Sequence, residues 1–260
     1  MDERMVSAIA DELAHAESSR TMVPLLTARY PDMTVEDAYA VQNEWRRRST
    51  TAGRRLVGRK IGLTSKVMQA ATGITEPDYG TIFADMVHES GAVIAHADFT
   101  NVRIEVELAF VLRAPLQGPH NTLFDVLRAT EFVVPALEIL SSRIELAGRT
   151  IVDTISDNAA MGGMVIGGTP VDPAAVDLRW VSALLYRNEV IEESGVSAAV
   201  LNHPANGVAW LANKLHRHGD GLEAGDIVLA GSFTRPMWVH AGDTVLADYG
   251  PLGTVSCRFA

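Results

Sequence analysis

Cysteine is almost absent. The single Cys257 in a chain of 260 residues excludes an internal disulfide framework and a cysteine-based zinc cluster, and suits a reducing compartment. Aromatic residues are scarce at 6%, so the 47% hydrophobic share rests mainly on aliphatic side chains, and it is too high for a disordered chain. Basic charge is also short. With 22 Lys and Arg against 32 Asp and Glu, a net charge of −10, no basic face is available to neutralise phosphates, which argues against general nucleic-acid binding. An anionic small molecule would have to be attracted locally against this global field. No apolar run approaches the roughly eighteen residues of a membrane-spanning helix. The N-terminus is acidic and amphipathic, unlike a signal peptide, so a soluble cytoplasmic protein is expected. G-x-G-x-x-G, the Walker loop and G-x-S-x-G are missing, and the eight His form no H-x-x-x-H pair.

What is present reads as α+β. Met5, Ile9 and Leu13 recur at helical spacing, a turn follows at Tyr30-Pro31-Asp32, and Thr34 with Asp37 gives an N-cap signal before the Ala38, Val41, Trp45 stripe. Residues 1–60 are therefore expected to form an α-helical lobe. From about Leu56 short β-branched runs alternate with Gly, Pro, Asp and Asn, so 61–260 is expected to be a mostly β domain. Two helices interrupt it, at Thr122 to Thr130 and Pro204 to Lys214, the second opened by His203. Three Gly-led strands close the chain, beginning at Gly225, Gly242 and Gly253, and Cys257 falls in the last as a core residue.

The segment R-I-E-V-E-L-A-F, Arg103 to Phe110, places Glu105 and Glu107 on one face of a strand and Ile104, Val106 and Leu108 on the other. A solvated outer face would explain this alternation. If the face is enclosed, the two carboxylates repel by about a few kcal/mol and a cation becomes the remedy. Glu138 sits in the apolar run Phe132 to Leu140, where a buried carboxylate needs a partner. Arg143 or Arg103 could pair with it. Alternatively, the three glutamates offer hard oxygen ligands suited to Mg²⁺ or Mn²⁺. Lys60, among glycines and apolar residues, either extends to solvent or serves as an acid/base group. Asp78, in Thr75 to Gly80, has turn chemistry as its plainest explanation.

Taken together, K-I-G-L-T-S (Lys60 to Ser65), E-P-D-Y-G (Glu76 to Gly80), R-I-E-V-E-L-A-F, P-A-L-E (Pro135 to Glu138), D-T-I-S-D-N-A-A (Asp153 to Ala160) and the C-terminal D-Y-G-P-L-G-T-V-S-C-R-F resemble the hydratase and decarboxylase branch of the fumarylacetoacetate hydrolase superfamily. The resemblance runs from about Leu25 to Ala260. It implies a rolled mixed β-sheet domain behind a helical lobe, a divalent metal, usually Mg²⁺, and homo-oligomers of pentamers or decamers, with an associated pathway enzyme as a further partner. It also implies metal ligation by Glu105, Glu107 and Glu138, acid/base roles for Lys60 and Asp78, and a substrate contact at Leu63. The activities implied are hydration of a seven-carbon 2-oxo-enedioate, hydration of 2-hydroxypenta-2,4-dienoate, or decarboxylation of 4-oxalocrotonate. Ser232 to Pro236 and Leu201-Asn202-His203-Pro204 resemble the first subgroup, and Arg235 is the expected grip on a distal carboxylate. One departure is the loop from Ser142 to Val152, which is shorter than in that subgroup and bears on substrate length.

Overall fold

The computed structural model describes residues 1–66, 69 and 76–260. Helix α1 (Glu3–Ser19) starts where Asp2 accepts the Met5 amide, and it buries Ile9 and Leu13. After the short α2 (Leu26–Arg29), α3 (Val35–Thr51) opens on a reciprocal capping box. Thr34 Oγ accepts the Asp37 amide at 3.1 Å and Asp37 accepts the Thr34 amide at 2.9 Å.

The strands then follow: β1 (Leu56–Gly62), β2 (Asp78–Phe83), β3 (Val87–Glu89), β4 (Ala92–Ile94) and the long β5 (Arg103–Leu112). Helix α4 (Leu123–Ala129), capped by Thr122, leads into β6 (Thr130–Leu140), and α5 (Ile151–Ser156) leads into β7 (Met161–Ile166). The hairpin β8 (Ser182–Arg187) and β9 (Val190–Val196) precedes α6 (Pro204–His216), which His203 caps as expected. The chain ends in β10 (Ile227–Leu229), β11 (Met237–Trp238), β12 (Thr244–Asp248) and β13 (Thr254–Phe259).

Among the described residues these strands make two mixed sheets. The larger runs β2-β1-β10-β5-β6-β7-β3, with β11 on the start of β5, and the smaller runs β4-β13-β12-β8-β9. The expected α+β architecture, a mixed β roll behind N-terminal helices, is what forms. The boundary drawn at residue 60 falls inside β1, because the strand begins at the composition change near Leu56.

The apolar face of β5 packs inward, with Ile104, Val106, Leu108 and Phe110 buried in a core that also holds Ile9, Leu13 and Tyr39 of the helices. The opposite face of β5 is covered too, so the solvated strand face that alternation alone allows is not what occurs: Glu107 is fully buried. The reason is topological. Strand β5 is central in its sheet, flanked by β10 and β6. Cys257 is buried in β13, as expected. Among the described residues no helix is long and apolar enough to cross a membrane.

Candidate active site

Register brings the glutamates together. In the antiparallel β5–β6 pair Glu105 stands opposite Glu138 and Glu107 opposite Ala136, so the three side chains share one face. One carboxylate oxygen from each lies within 4.8 Å of the others. The Tyr249 hydroxyl, on the core side, lies 3.0 Å from the Glu107 carbonyl and 2.6 Å from that of Ala136, fixing the two strands at this level.

Lys60 and Asp78 arrive through the antiparallel β1–β2 pair, in which Lys60 opposes Gly80 and Gly62 opposes Asp78. The glycines make room for the chemistry. A Cβ on Gly62 would lie 2.2 Å from Asp78 Oδ1 and 3.4 Å from Lys60 Nζ, and one on Gly80 would meet the Asn158 carbonyl at 2.4 Å. Lys60 is buried rather than extended to solvent, and its Nζ lies 2.8 Å from Glu138 Oε1. The partner of Glu138 is thus Lys60, not Arg143 or Arg103. Arg143 instead binds Asp157 at 2.5 Å. Asp78 opens strand β2 and is buried, with neither oxygen hydrogen-bonded among the described residues, so turn chemistry does not account for it. Thr75, at the start of the stretch read as a turn, lies outside the described residues.

The electrostatics follow from burial and crowding. Burial, then Glu138, lifts Glu105 to about 8. Burial followed by Glu138 and Glu105 raises Glu107 well above the usual carboxylate range, although the Gly231 amide donates to its Oε2 at 2.8 Å. Burial also raises Asp78, with Lys60 opposing. For Lys60 burial works against the charge, but Glu138 and Asp78 outweigh it and hold the amine above its ordinary value. Among the described residues, Glu138 has no hydrogen-bond partner at either oxygen apart from the Lys60 contact, and Glu107 Oε1 has none. Unsatisfied buried carboxylates are costly. Three hard oxygen donors with this deficit fit a divalent cation such as Mg²⁺ or Mn²⁺.

Lys60, Asp78 and Glu105 line a cavity of about 670 Å³, with Glu107 and Glu138 behind them. Leu63 lines it just beyond Lys60, with a left-handed backbone at φ 57°. Arg235 is at the rim, 75% exposed and paired with Glu193 at 2.9 Å. The wall also holds residues that local sequence did not single out as site residues: Arg103, Arg149, and Ala159 and Ala160 of the turn Asn158-Ala159-Ala160, which has φ of 50°, 52° and 57°. Three consecutive left-handed residues, two of them alanine, are strained. They are held by Asn158, whose side chain pairs with both backbone groups of Thr81, and by Asp157, which accepts from Ser142 and Arg143. Arg103 had a signal in the sequence, since it shares the period-two face of Glu105 and Glu107; Arg149 had none nearby.

A mixed-β roll with helices at its N-terminal end, carrying a buried triad of glutamates beside a lysine and an aspartate, defines a class of proteins suited to metal-assisted chemistry on small acids. The chain belongs to the fumarylacetoacetate hydrolase family: residues 63–260 match the description Fumarylacetoacetate (FAA) hydrolase C-terminal. It is 54% identical to 2-oxo-hept-4-ene-1,7-dioate hydratase from Escherichia coli over 264 aligned residues, covering 99% of each chain. It is 39% identical to 2-keto-4-pentenoate hydratase from Paraburkholderia xenovorans, covering 96% of this chain and 93% of that one. Its structure superposes on 4-oxalocrotonate decarboxylase from Pseudomonas putida G7, complexed with magnesium and adipate, with a TM-score of 0.97 at 35% identity, covering 100% of this chain and 99% of the other.

Proposed function

We propose that this chain is a cytoplasmic, divalent-metal-dependent hydro-lyase that adds water to 2-oxohept-4-ene-1,7-dioate in the breakdown of aromatic compounds. The observation that carries the reading is the cluster of Glu105, Glu107 and Glu138 beside Lys60 and Asp78, of which Glu105, Lys60 and Asp78 line one cavity. The 54% identity to the Escherichia coli hydratase over the full chain supports the substrate. Glu105, Glu107 and Glu138 would hold the cation, Mg²⁺ in first place and Mn²⁺ in second, and it would supply the positive charge that favours an enolate of the 2-oxo acid.

The remaining chemistry belongs to the chain. Hydration requires the double bond to move into conjugation with the 2-oxo group, so that C4 becomes electrophilic; the hydroxyl then bonds to C4 and a proton to C3. Lys60, kept charged by its carboxylate neighbours, donates to the enolate oxygen or returns the proton to carbon. Asp78, whose pKa burial raises against the pull of Lys60, moves a proton between the carbon skeleton and the incoming water. Leu63, whose backbone turns along the wall beyond Lys60, is assigned a substrate contact, and Arg235 a rim contact that draws the acid inward. Exposed Trp180, Trp238 and Val190 suit burial in a homo-oligomer, read as a pentamer or decamer.

The second reading is decarboxylation of 4-oxalocrotonate, favoured by the 0.97 superposition on a decarboxylase. Turnover of five-, six- and seven-carbon dienoates with Mg²⁺, with products identified by mass, separates the two. A hydroxylated seven-carbon diacid is expected. Release of CO₂ as the main product would overturn the hydratase reading.

A further inference from the structure

Four cationic side chains line the cavity, Lys60, Arg103, Arg149 and Arg235, and only two of them sit in short ion pairs. Lys60 has Glu138 at 2.8 Å and Arg235 has Glu193 at 2.9 Å. Among the described residues Arg103 and Arg149 have no comparable partners. One terminal nitrogen of Arg103 is buried without a hydrogen bond, Nε reaches only the Asn101 carbonyl at 3.4 Å, and the guanidinium carbon sits 5.4 Å from the Trp238 ring centre. Arg149 donates to Ser142 Oγ at 2.9 Å, and its nearest carboxylate, Asp157, is 4.0 Å away and already bound by Arg143. An enclosed pair of guanidiniums short of anions is a receptor for a carboxylate.

Position agrees with charge. Arg103 shares the β5 face with Glu105 and Glu107, and each two-residue step along a strand covers about 7 Å, close to the length of a seven-carbon chain. Arg149 reaches the cavity from the loop between β6 and α5. This is the loop whose length departs from that of the subgroup the sequence resembles.

We infer that Arg103 and Arg149 together receive the second carboxylate of the substrate, and that this pair, not the exposed Arg235, makes the site select a dicarboxylate. The inference rests on the proposed 2-oxo-enedioate substrate and deepens it. A site with buried donors discriminates against the ligand that leaves them unpaired.

The test is binding of two unreactive probes, 2-oxoheptanedioate and 2-oxoheptanoate, measured calorimetrically with Mg²⁺ present. The wild-type chain is expected to prefer the diacid by at least about tenfold, roughly the discrimination that one well-paired group confers. Arg103→Gln and Arg149→Gln should each bring the preference to within about threefold, while Arg235→Gln, which removes only a rim charge, weakens both acids together and leaves their ratio near the wild-type value. Using the ratio of two ligands on the same protein separates the effect from partial misfolding, and having two variants guards against the loss of one. Equal wild-type affinities, or a ratio unchanged in both inner variants, or one lost only in Arg235→Gln, would overturn the assignment. Because binding needs no turnover, a collapsed ratio in a protein without hydratase activity would sustain the receptor and remove the hydratase reading. Active hydration with an unchanged ratio would do the reverse.

Discussion

Removing one negative charge from the glutamate cluster should stabilise the metal-free protein while abolishing its response to metal. At 4.8 Å, a pair of unit charges in an effective dielectric near 20 repels by about 3.5 kcal/mol, and three such pairs exist if Glu105, Glu107 and Glu138 are all ionised. Lys60, 2.8 Å from Glu138, offsets only part of this. The folded chain therefore retains protons there, with Glu105 lifted to about 8 and Glu107 raised well above its usual range. Both folded values exceed the unfolded ones, so between the ordinary carboxylate range and about pH 8 the folded state binds more protons, and stability falls as pH rises.

From pH 6 to pH 8 a loss of about 1–2 kcal/mol is expected after allowing for relaxation, or roughly 3–8 °C in Tm for a chain of this size. Mg²⁺ at a hundred times its Kd should add about 2.7 kcal/mol. Its increment should be larger at pH 8, because protons and the cation compete for the same oxygens. Glu107→Gln keeps the oxygen that accepts the Gly231 amide and removes the charge. It should raise the metal-free Tm at pH 8 and reduce the Mg²⁺ increment to about 1 °C or less. Thermal denaturation after chelation, with Mg²⁺ titrated back at both pH values, reads all of these. A metal-free Tm indifferent to pH, or an undiminished Mg²⁺ increment in Glu107→Gln, would refute the reasoning.

Gly62→Ala, whose new Cβ would lie 2.2 Å from Asp78 Oδ1, should lower kcat by about 10² or more. The far-UV spectrum should be unchanged, and wild-type kcat would contradict the placement of Asp78. Lys60→Met should cost about 10² to 10⁴ in kcat, measured on the seven-carbon dienoate, and retention of more than a tenth of the activity would remove the lysine from the proton chemistry. Asp153 caps α5 through the Thr150 amide at 3.0 Å and ties it to α2 by accepting from the Thr27 amide and hydroxyl. Burial alone would raise its pKa, but these bonds lower it below the ordinary value. Its contribution is therefore present above about pH 4 and lost as pH falls through the folded value. Asp153→Asn should cost about 1–3 kcal/mol near neutral pH and make acid unfolding less steep, both visible in pH-dependent denaturation curves.

Much of the site could be read from the chain because its signals are local. Glu105 and Glu107 declare a common face by period two, and Glu138 is conspicuous as a charge in an apolar run. The capping box at Thr34 and the Pro after His203 likewise mark helix starts within a few residues. What stayed hidden depends on pairing across long separations. Nothing beside Lys60 reveals that β10 lies parallel to β1 and encloses it, or that Asp78 pairs with Gly62 at a strand end instead of turning in solvent. The left-handed Ala159 and Ala160 are equally illegible, since alanine carries no preference for that conformation; neighbours such as Asp157 impose it.

The tight glycines of β1 and β2 bear on how such a protein can change. Any side chain at Gly62 would intrude on Asp78, and any at Gly80 on the backbone at Asn158, so the strand pair that presents acid and base is nearly closed to substitution. The stretch 145–149 that bears Arg149 and the rim at Arg235 are exposed or half-buried and carry no such constraint. Evolvability is therefore divided by architecture: the strands conserve the reaction, and the loops can diversify the acid on which it is performed. A library meant to alter substrate length belongs at 145–149 and 235–236, with β1, β2 and the buried Ser142 and Arg143 left intact.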